Sequence, residues 1–173
     1  MTDKPTRKSA PFAPLTTRNR YVVIASVVAL MLFITLAIFD TIQRYPQVWP
    51  YVILRDLHYH LSRLGLVAAA LMTGLGVYVG IIRKGDVTPL FRYATYIIFA
   101  TMLIQSLIGL GMYALQGRPA QEVHLIYGMA SVLALPFFIF VETTAKKRPA
   151  MGSYIWGFSL LLGVIIRSIM TGA

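Results

Sequence analysis

The sequence predicts an all-α integral membrane protein, a bundle of five transmembrane helices. Of its 173 residues, 57% are hydrophobic and the mean hydropathy is +0.69, above the range of ordinary soluble domains. The apolar residues gather in five separate runs. Each run is long enough to cross a hydrocarbon layer about 30 Å thick at about 1.5 Å per helical residue. Lysine and arginine are distributed unevenly among the connecting segments, which predicts how the chain is oriented.

The chain divides into a tail and a transmembrane domain. Residues 1–20 are rich in Pro, Thr, Lys and Arg, a composition that predicts a disordered basic tail in the cytoplasm. The transmembrane domain covers residues 21–173, and Pro136 is predicted to bend its fourth span. The five predicted spans are about 21–39, 57–82, 93–115, 123–141 and 153–170.

The basic residues orient the chain. Of the 16 lysines and arginines, eleven lie in the tail, in the loop after the second span or in the loop after the fourth. The opposite loops carry only Arg44, Arg55 and Arg118. This asymmetry predicts a cytoplasmic N-terminus, a C-terminus on the outer side, and a multi-pass location in the inner (plasma) membrane. Because the basic residues form no single stripe, nucleic-acid binding is not predicted despite the net charge of +10.

Three histidines are the candidates for chemistry. His58 and His60 open the second span, and His124 opens the fourth. Both spans enter the membrane from the outer side, so the imidazoles are predicted to lie at similar depth. Two histidines on different helices at one depth can ligate a heme iron from opposite faces. The chain has no cysteine, which excludes thiolate metal sites and covalent c-type heme attachment. The predicted cofactor is therefore heme b.

His58 is preferred over His60 as the partner of His124. Their positions differ by two, so their side chains point about 200° apart on a helix, and only one can face a given ring. His60 is followed at helical spacing by large aliphatic residues, and it remains the alternative ligand. Helical spacing from His58 leads instead along small residues: Ser62, Gly65, Ala69, Thr73, Gly76 and Gly80.

Small residues also follow His124, at Gly128 and Ser131. A flat macrocycle between two helices needs such room, so Ser62, Gly65 and Gly128 are candidate cofactor-binding positions. A stripe of small residues also lets membrane helices pack closely, and that alternative explains the deeper part of the second-span stripe.

Two arginines fall inside predicted spans, Arg63 in the second and Arg167 in the fifth. Charged residues within a span are costly and indicate function. A guanidinium suits a carboxylate geometrically, so both are candidates to pair with the propionates of a heme. The alternative is that both side chains extend to the membrane surface.

Short motifs in the third and fourth spans resemble one half of a heme A synthase. The segment QSLIG at residues 105–109 and the pair His124–Leu125 match the family's pattern, and the resemblance covers about residues 21–141. It implies a four-helix unit whose second and fourth helices each offer a histidine to heme. The chain departs from the family's E-x-x-H-R motif around the first histidine, lacks the outer-loop cysteine pair and adds a fifth helix. The carboxylate implicated in the family's oxidation chemistry is thus missing from its usual place.

Three functions remain open at this point. The leading one is a b-type heme protein for electron transfer or heme binding in a respiratory or photosynthetic assembly. The second is a structural or assembly subunit without a cofactor. The third is a half-size heme A synthase that acts as a homodimer. The predicted partners are the lipid bilayer and a second copy of the chain or a larger membrane complex.

Overall fold

The computed structural model describes residues 16–44, 50–115, 117–144 and 150–172. These residues form helices and short connections and contain no strand. All five helices are long and apolar enough to cross a membrane, which confirms the predicted all-α class and the number of spans. The helices are α1 (Thr17–Arg44), α2 (Tyr51–Val77), α3 (Pro89–Ala114), α4 (Val123–Thr144) and α5 (Ala150–Gly172).

The helices extend beyond the predicted spans at several ends. α1 begins at Thr17, so the last four residues of the predicted disordered tail are helical; residues 1–15 lie outside the described residues. The Thr16 hydroxyl accepts a hydrogen bond from the Asn19 backbone N–H at 3.4 Å, a side-chain cap that favours a helix start there. α2 begins at Tyr51 rather than at residue 57, directly after Pro50. Hydropathy marks only the hydrocarbon layer, whereas a helix can continue through polar residues beyond it.

Four of the helices build the core. α2 and α4 lie diagonally opposite each other, and each packs on both α3 and α5. The central cluster of buried residues comes from these four helices and from Val87, which precedes α3. α5 supplies the largest share: Met151, Tyr154, Phe158, Leu161 and Ile165. α1 packs on the outside of α2 and α3, and its membrane-crossing segment is not buried.

Glycines bring α2 close to α5. A Cβ atom placed on Gly76 would lie 3.0 Å from Cγ1 of Ile155, and one on Gly80 would lie 2.6 Å from Cγ of Met151. Nearer the beginning of α2, a Cβ atom on Gly65 would collide with the Met102 side chain of α3. Close helix approach through small residues is the usual packing device of membrane helices. These members of the predicted stripe therefore serve helix packing in the structure.

α2 ends in a π-helical turn, Tyr78–Ile82, and a short connection leads to α3. Lys84 in that connection has a positive φ of 50°. The Thr88 hydroxyl then accepts a hydrogen bond from the Phe91 backbone N–H at 3.2 Å, and Pro89 is the first residue of α3. A capping threonine followed by proline is a favoured helix start. α4 remains helical through Pro136.

Candidate heme-ligating histidine site

His58 of α2 and His124 of α4 face each other across the bundle. Their ring centroids are 6.1 Å apart, with an interplanar angle of 66°. Both residues are half-buried. Since α2 and α4 occupy diagonal positions, the two imidazoles meet in the interior of the bundle. We call the end of the bundle that carries this pair the histidine end.

Each imidazole is held by a backbone carbonyl of a neighbouring helix. Nδ1 of His58 lies 3.1 Å from the carbonyl oxygen of Gln105 on α3. Nδ1 of His124 lies 2.9 Å from the carbonyl oxygen of Ser168 on α5. A carbonyl oxygen can only accept, so each Nδ1 carries the hydrogen and donates it. In a neutral imidazole this leaves Nε2 with its lone pair, the form that binds a metal ion.

A glycine lies beneath each ring. A Cβ atom on Gly109 would be 3.2 Å from Cε1 of His58. One on Gly172 would be 2.6 Å from Cε1 and 2.7 Å from Nδ1 of His124. Each glycine follows the carbonyl residue on its helix by four positions, one helical turn. Without a side chain at that position, the ring can lie on the helix surface and reach the carbonyl.

His60 lies on a different face of α2. Its ring packs edge-on against Phe33 of α1, with centroids 6.0 Å apart, and against Tyr59 at 5.4 Å. The structure therefore brings His58 and His124 together and places His60 toward α1. The assignment of iron ligands among the three histidines stays a prediction.

The remaining candidates lie on the two helices of the pair and on α5. The exposed guanidinium of Arg63 is 4.0 Å from the Tyr59 ring centroid, and that of Arg167 is 5.8 Å from the Tyr127 ring centroid. Ser62 donates its hydroxyl to the Tyr59 carbonyl at 2.7 Å. A Cβ atom on Gly128, one turn after His124, would meet nothing within 4 Å. Of the predicted small residues next to the pair, Gly128 has open space and Gly65 is in contact with Met102.

The donor set limits what the site can hold. The described residues contain no group of three or more His, Cys, Asp or Glu side chains placed to bind a metal ion. A closed tetrahedral site needs four protein ligands, so two imidazoles alone do not make one. Two axial imidazoles do suit an ion whose other ligands come from a macrocycle. The side-chain oxygen Oε1 of Gln105, whose backbone carbonyl holds His58, is also buried and has no hydrogen-bond partner among the described residues.

A second polar cluster lies at the opposite end of the bundle. Arg92 of α3 donates from Nη2 to Oε1 of Glu142 on α4 at 2.6 Å, and the side chains are 9% and 11% exposed. Tyr154 of α5 also hydrogen-bonds Glu142. Sequence reasoning missed this cluster because Arg92 and Glu142 fall at the edges of apolar runs and were assigned to loops. The sequence does contain one signal for this cluster, the single acidic residue Glu142 at the end of the fourth apolar run.

The chain matches no protein-family model, no curated protein and no solved structure. The resemblance to the heme A synthase family therefore rests on the motifs at residues 105–109 and 124–125 alone.

Proposed function

We propose that the chain is a membrane-bound b-type heme protein with one heme held between α2 and α4. His58 and His124 are the axial ligands, and the role is electron transfer or heme binding within a respiratory or photosynthetic assembly. One observation carries the proposal: two imidazoles face each other from diagonal helices, each with Nδ1 hydrogen-bonded to a backbone carbonyl.

The spacing of the rings supports this role. An imidazole nitrogen binds a metal ion at about 2.0–2.1 Å. The centre of each ring then lies roughly 3.2 Å from the ion, so two rings on opposite sides are about 6.4 Å apart. The observed separation of the His58 and His124 centroids is 6.1 Å. A directly packed edge-to-face pair of rings also has its centroids about 4.5–7 Å apart, so the separation is compatible with a shared ligand but does not require one.

The flanks of the pair also support it. A flat macrocycle between two imidazoles requires that the neighbouring helices present little bulk at the same level. At that level α3 presents Gly109 and α5 presents Gly172. One turn deeper on α4, Gly128 has open space beside it. The imidazole rings themselves lie over Gly109 and Gly172, so the free room beside the pair is at Gly128.

In this proposal the heme supplies one-electron chemistry by cycling its iron between two oxidation states. The chain binds and orients it. The carbonyls of Gln105 and Ser168 fix the direction of the two imidazoles and keep Nε2 available. Arg63 and Arg167 are the proposed partners of the propionates, because both guanidinium groups lie on helices of the pair or next to it and are exposed.

The orientation is part of the proposal. The N-terminus lies in the cytoplasm and the histidine end lies near the outer surface of the plasma membrane, as the distribution of lysine and arginine indicates.

A reduced-minus-oxidised absorption spectrum of the purified protein tests the proposal. Protein made with ample heme should show the sharp α-band of six-coordinate low-spin heme. His124→Ala and His58→Ala should lose it, because each removes an axial ligand. His60→Ala is the matched control and should keep it. A flat wild-type spectrum would refute the proposal. Loss of the band in His60→Ala but not in His58→Ala would identify His60, and not His58, as the iron ligand on α2.

The second candidate is a cofactor-free subunit of a membrane complex. It is favoured by the packing of Gly65, Gly76 and Gly80 against side chains of α3 and α5, which uses the small residues for helix contacts. Under this function His124→Ala changes no spectrum and acts only on the packing of α4 against α5.

A further inference from the structure

A polar pocket opens on α2 away from the histidine pair, at the same end of the bundle. It has a volume of about 380 Å³ and lies between the end of α1 and the beginning of α2. Its lining is unusual for a surface that meets a membrane, because it consists of charged and polar side chains: Arg44, Arg55, Asp56, Tyr59 and His60.

An apolar groove runs deeper along the same helices. It lies between α1, α2 and α3 and has a volume of about 420 Å³. The groove exists because α1 packs on the outside of the other helices and does not fill the space beside them. Small and aliphatic side chains line it, among them Ala29, Leu64, Ala68 and Ile98.

The pocket and the groove adjoin. Phe33 lines the groove, and its ring lies 6.0 Å from that of His60, which lines the pocket. Leu64, one helical turn after His60, lines the groove from the α2 side. A molecule with a polar head in the pocket and an apolar chain in the groove would follow the seam between α1 and α2 into the membrane.

The charges around the pocket favour an anionic head. Arg44 donates from Nε to Asp40 at 3.0 Å, and Arg55 pairs with Asp56 at 3.2 Å. Among the residues that line the pocket, the two arginines outnumber the one acid, Asp56. In both ion pairs at least half of the arginine side chain is exposed. Exposed ion pairs contribute little to stability. A ligand can therefore compete with the carboxylates for these arginines.

We propose that this pocket and groove bind an anionic phospholipid. Arg44 and Arg55 bind its phosphate, since a guanidinium matches phosphate oxygens in charge and geometry. One acyl chain lies in the groove between α1, α2 and α3. The site is independent of the heme, because it lies on the α1 side of α2 and uses neither His58 nor His124.

Native mass spectrometry of the detergent-purified chain, with phosphatidylglycerol or phosphatidylcholine added, tests this site. The wild type should retain phosphatidylglycerol in preference to phosphatidylcholine. The variant Arg44→Gln/Arg55→Gln should lose about fivefold in retention for each arginine removed. Arg118→Gln is the matched control, an exposed arginine in an outer loop that does not line the pocket, and should bind as the wild type does.

A second pair of variants tests the groove. Ala29→Phe fills it from α1 and should lower retention of phosphatidylglycerol. Val28→Phe adds the same ring at the neighbouring position, which does not line the groove, and should leave retention unchanged. Equal retention of the two lipids, or equal behaviour of Arg44→Gln/Arg55→Gln and Arg118→Gln, would overturn the proposal. The heme spectrum of Arg44→Gln/Arg55→Gln should match the wild type, which separates this site from the heme.

Discussion

At the scale of single residues, the two imidazoles are fixed by the same local arrangement. Each ring donates to the carbonyl of one residue and lies over the glycine one turn later, Gln105 with Gly109 on α3 and Ser168 with Gly172 on α5. A side chain at either glycine would occupy the position of the ring. The direction of the histidines is thus set by helices other than their own.

Gly109→Val should displace His58. Its Cβ alone would lie 3.2 Å from Cε1 of His58, and the two methyl groups add bulk that a packed site cannot absorb. Overpacking of this kind costs about 1–3 kcal/mol of stability. The unfolding temperature in detergent should therefore fall, and a bound heme should be lost. Gly74→Val, at a glycine of α2 whose added Cβ would meet nothing within 4 Å, is the control and should change neither quantity. Equal behaviour of the two variants would contradict this role for Gly109.

Sequence reasoning predicted which histidines lie at one depth but not what holds them. The positions of His58 and His124 follow from where each apolar run begins. The carbonyl partners depend on how α3 and α5 are rotated in the bundle, and no backbone carbonyl leaves a signal in a sequence. Gly109 was noted only as part of the QSLIG segment, and Gly172 lies beyond the predicted fifth span, 153–170.

At the scale of helices, α5 completes the four-helix bundle and α1 lies outside it. The resemblance to one half of a heme A synthase covers the first four spans, whereas the structure assembles its core from α2 to α5. The ends of α3, α4 and α5 away from the histidines are joined by Arg92, Glu142 and Tyr154. This polar cluster is the counterpart of the histidine pair at the other end.

Glu142→Leu should destabilise the bundle strongly. It leaves the Arg92 guanidinium buried without its carboxylate, and removal of one member of a buried ion pair typically costs about 3–5 kcal/mol. Unfolding in detergent, followed by circular dichroism, measures the loss. Asp40→Asn breaks the exposed Arg44–Asp40 pair and should cost less than about 1 kcal/mol. The double variant Arg92→Met/Glu142→Leu should recover much of the stability, and failure to do so would show that the pair has a role beyond mutual compensation.

At the scale of the whole molecule, five helices are long and apolar enough to cross a membrane, and the charges of the connecting segments predict which side each end faces. The histidine end and the Arg92 cluster lie at opposite ends of the bundle. A chain without cysteine allows single cysteines to be introduced and labelled without background. The orientation can therefore be measured directly.

A membrane-impermeant maleimide applied to intact cells should label Ala120→Cys and not Lys84→Cys. Both positions are exposed and lie in connections at opposite ends of the bundle, Lys84 between α2 and α3 and Ala120 between α3 and α4. Lys84→Cys should become labelled only after the membrane is permeabilised. The reverse pattern would place the histidine end in the cytoplasm and would invert the proposed topology.

The number of spans followed from the sequence, but their arrangement did not. A run of apolar residues of sufficient length predicts a membrane helix whatever its neighbours are. Because these helices are apolar on most of their circumference, hydrophobicity does not distinguish the face toward the core from the face toward lipid. The central place of α5 and the outer place of α1 depend on side-chain fit, for example of Gly76 and Gly80 against α5.

The hydrogen bond between His124 and the Ser168 carbonyl has a consequence for biosynthesis. Membrane helices insert in the order in which the ribosome makes them and then associate. α2, α3 and α4 are therefore in the bilayer before the segment that orients His124 and fills the fourth position of the bundle has been made. Until α5 arrives, the interior between α2 and α4 is open on one side. The proposed heme would therefore have its easiest access to the space between α2 and α4 in the interval between insertion of α4 and docking of α5.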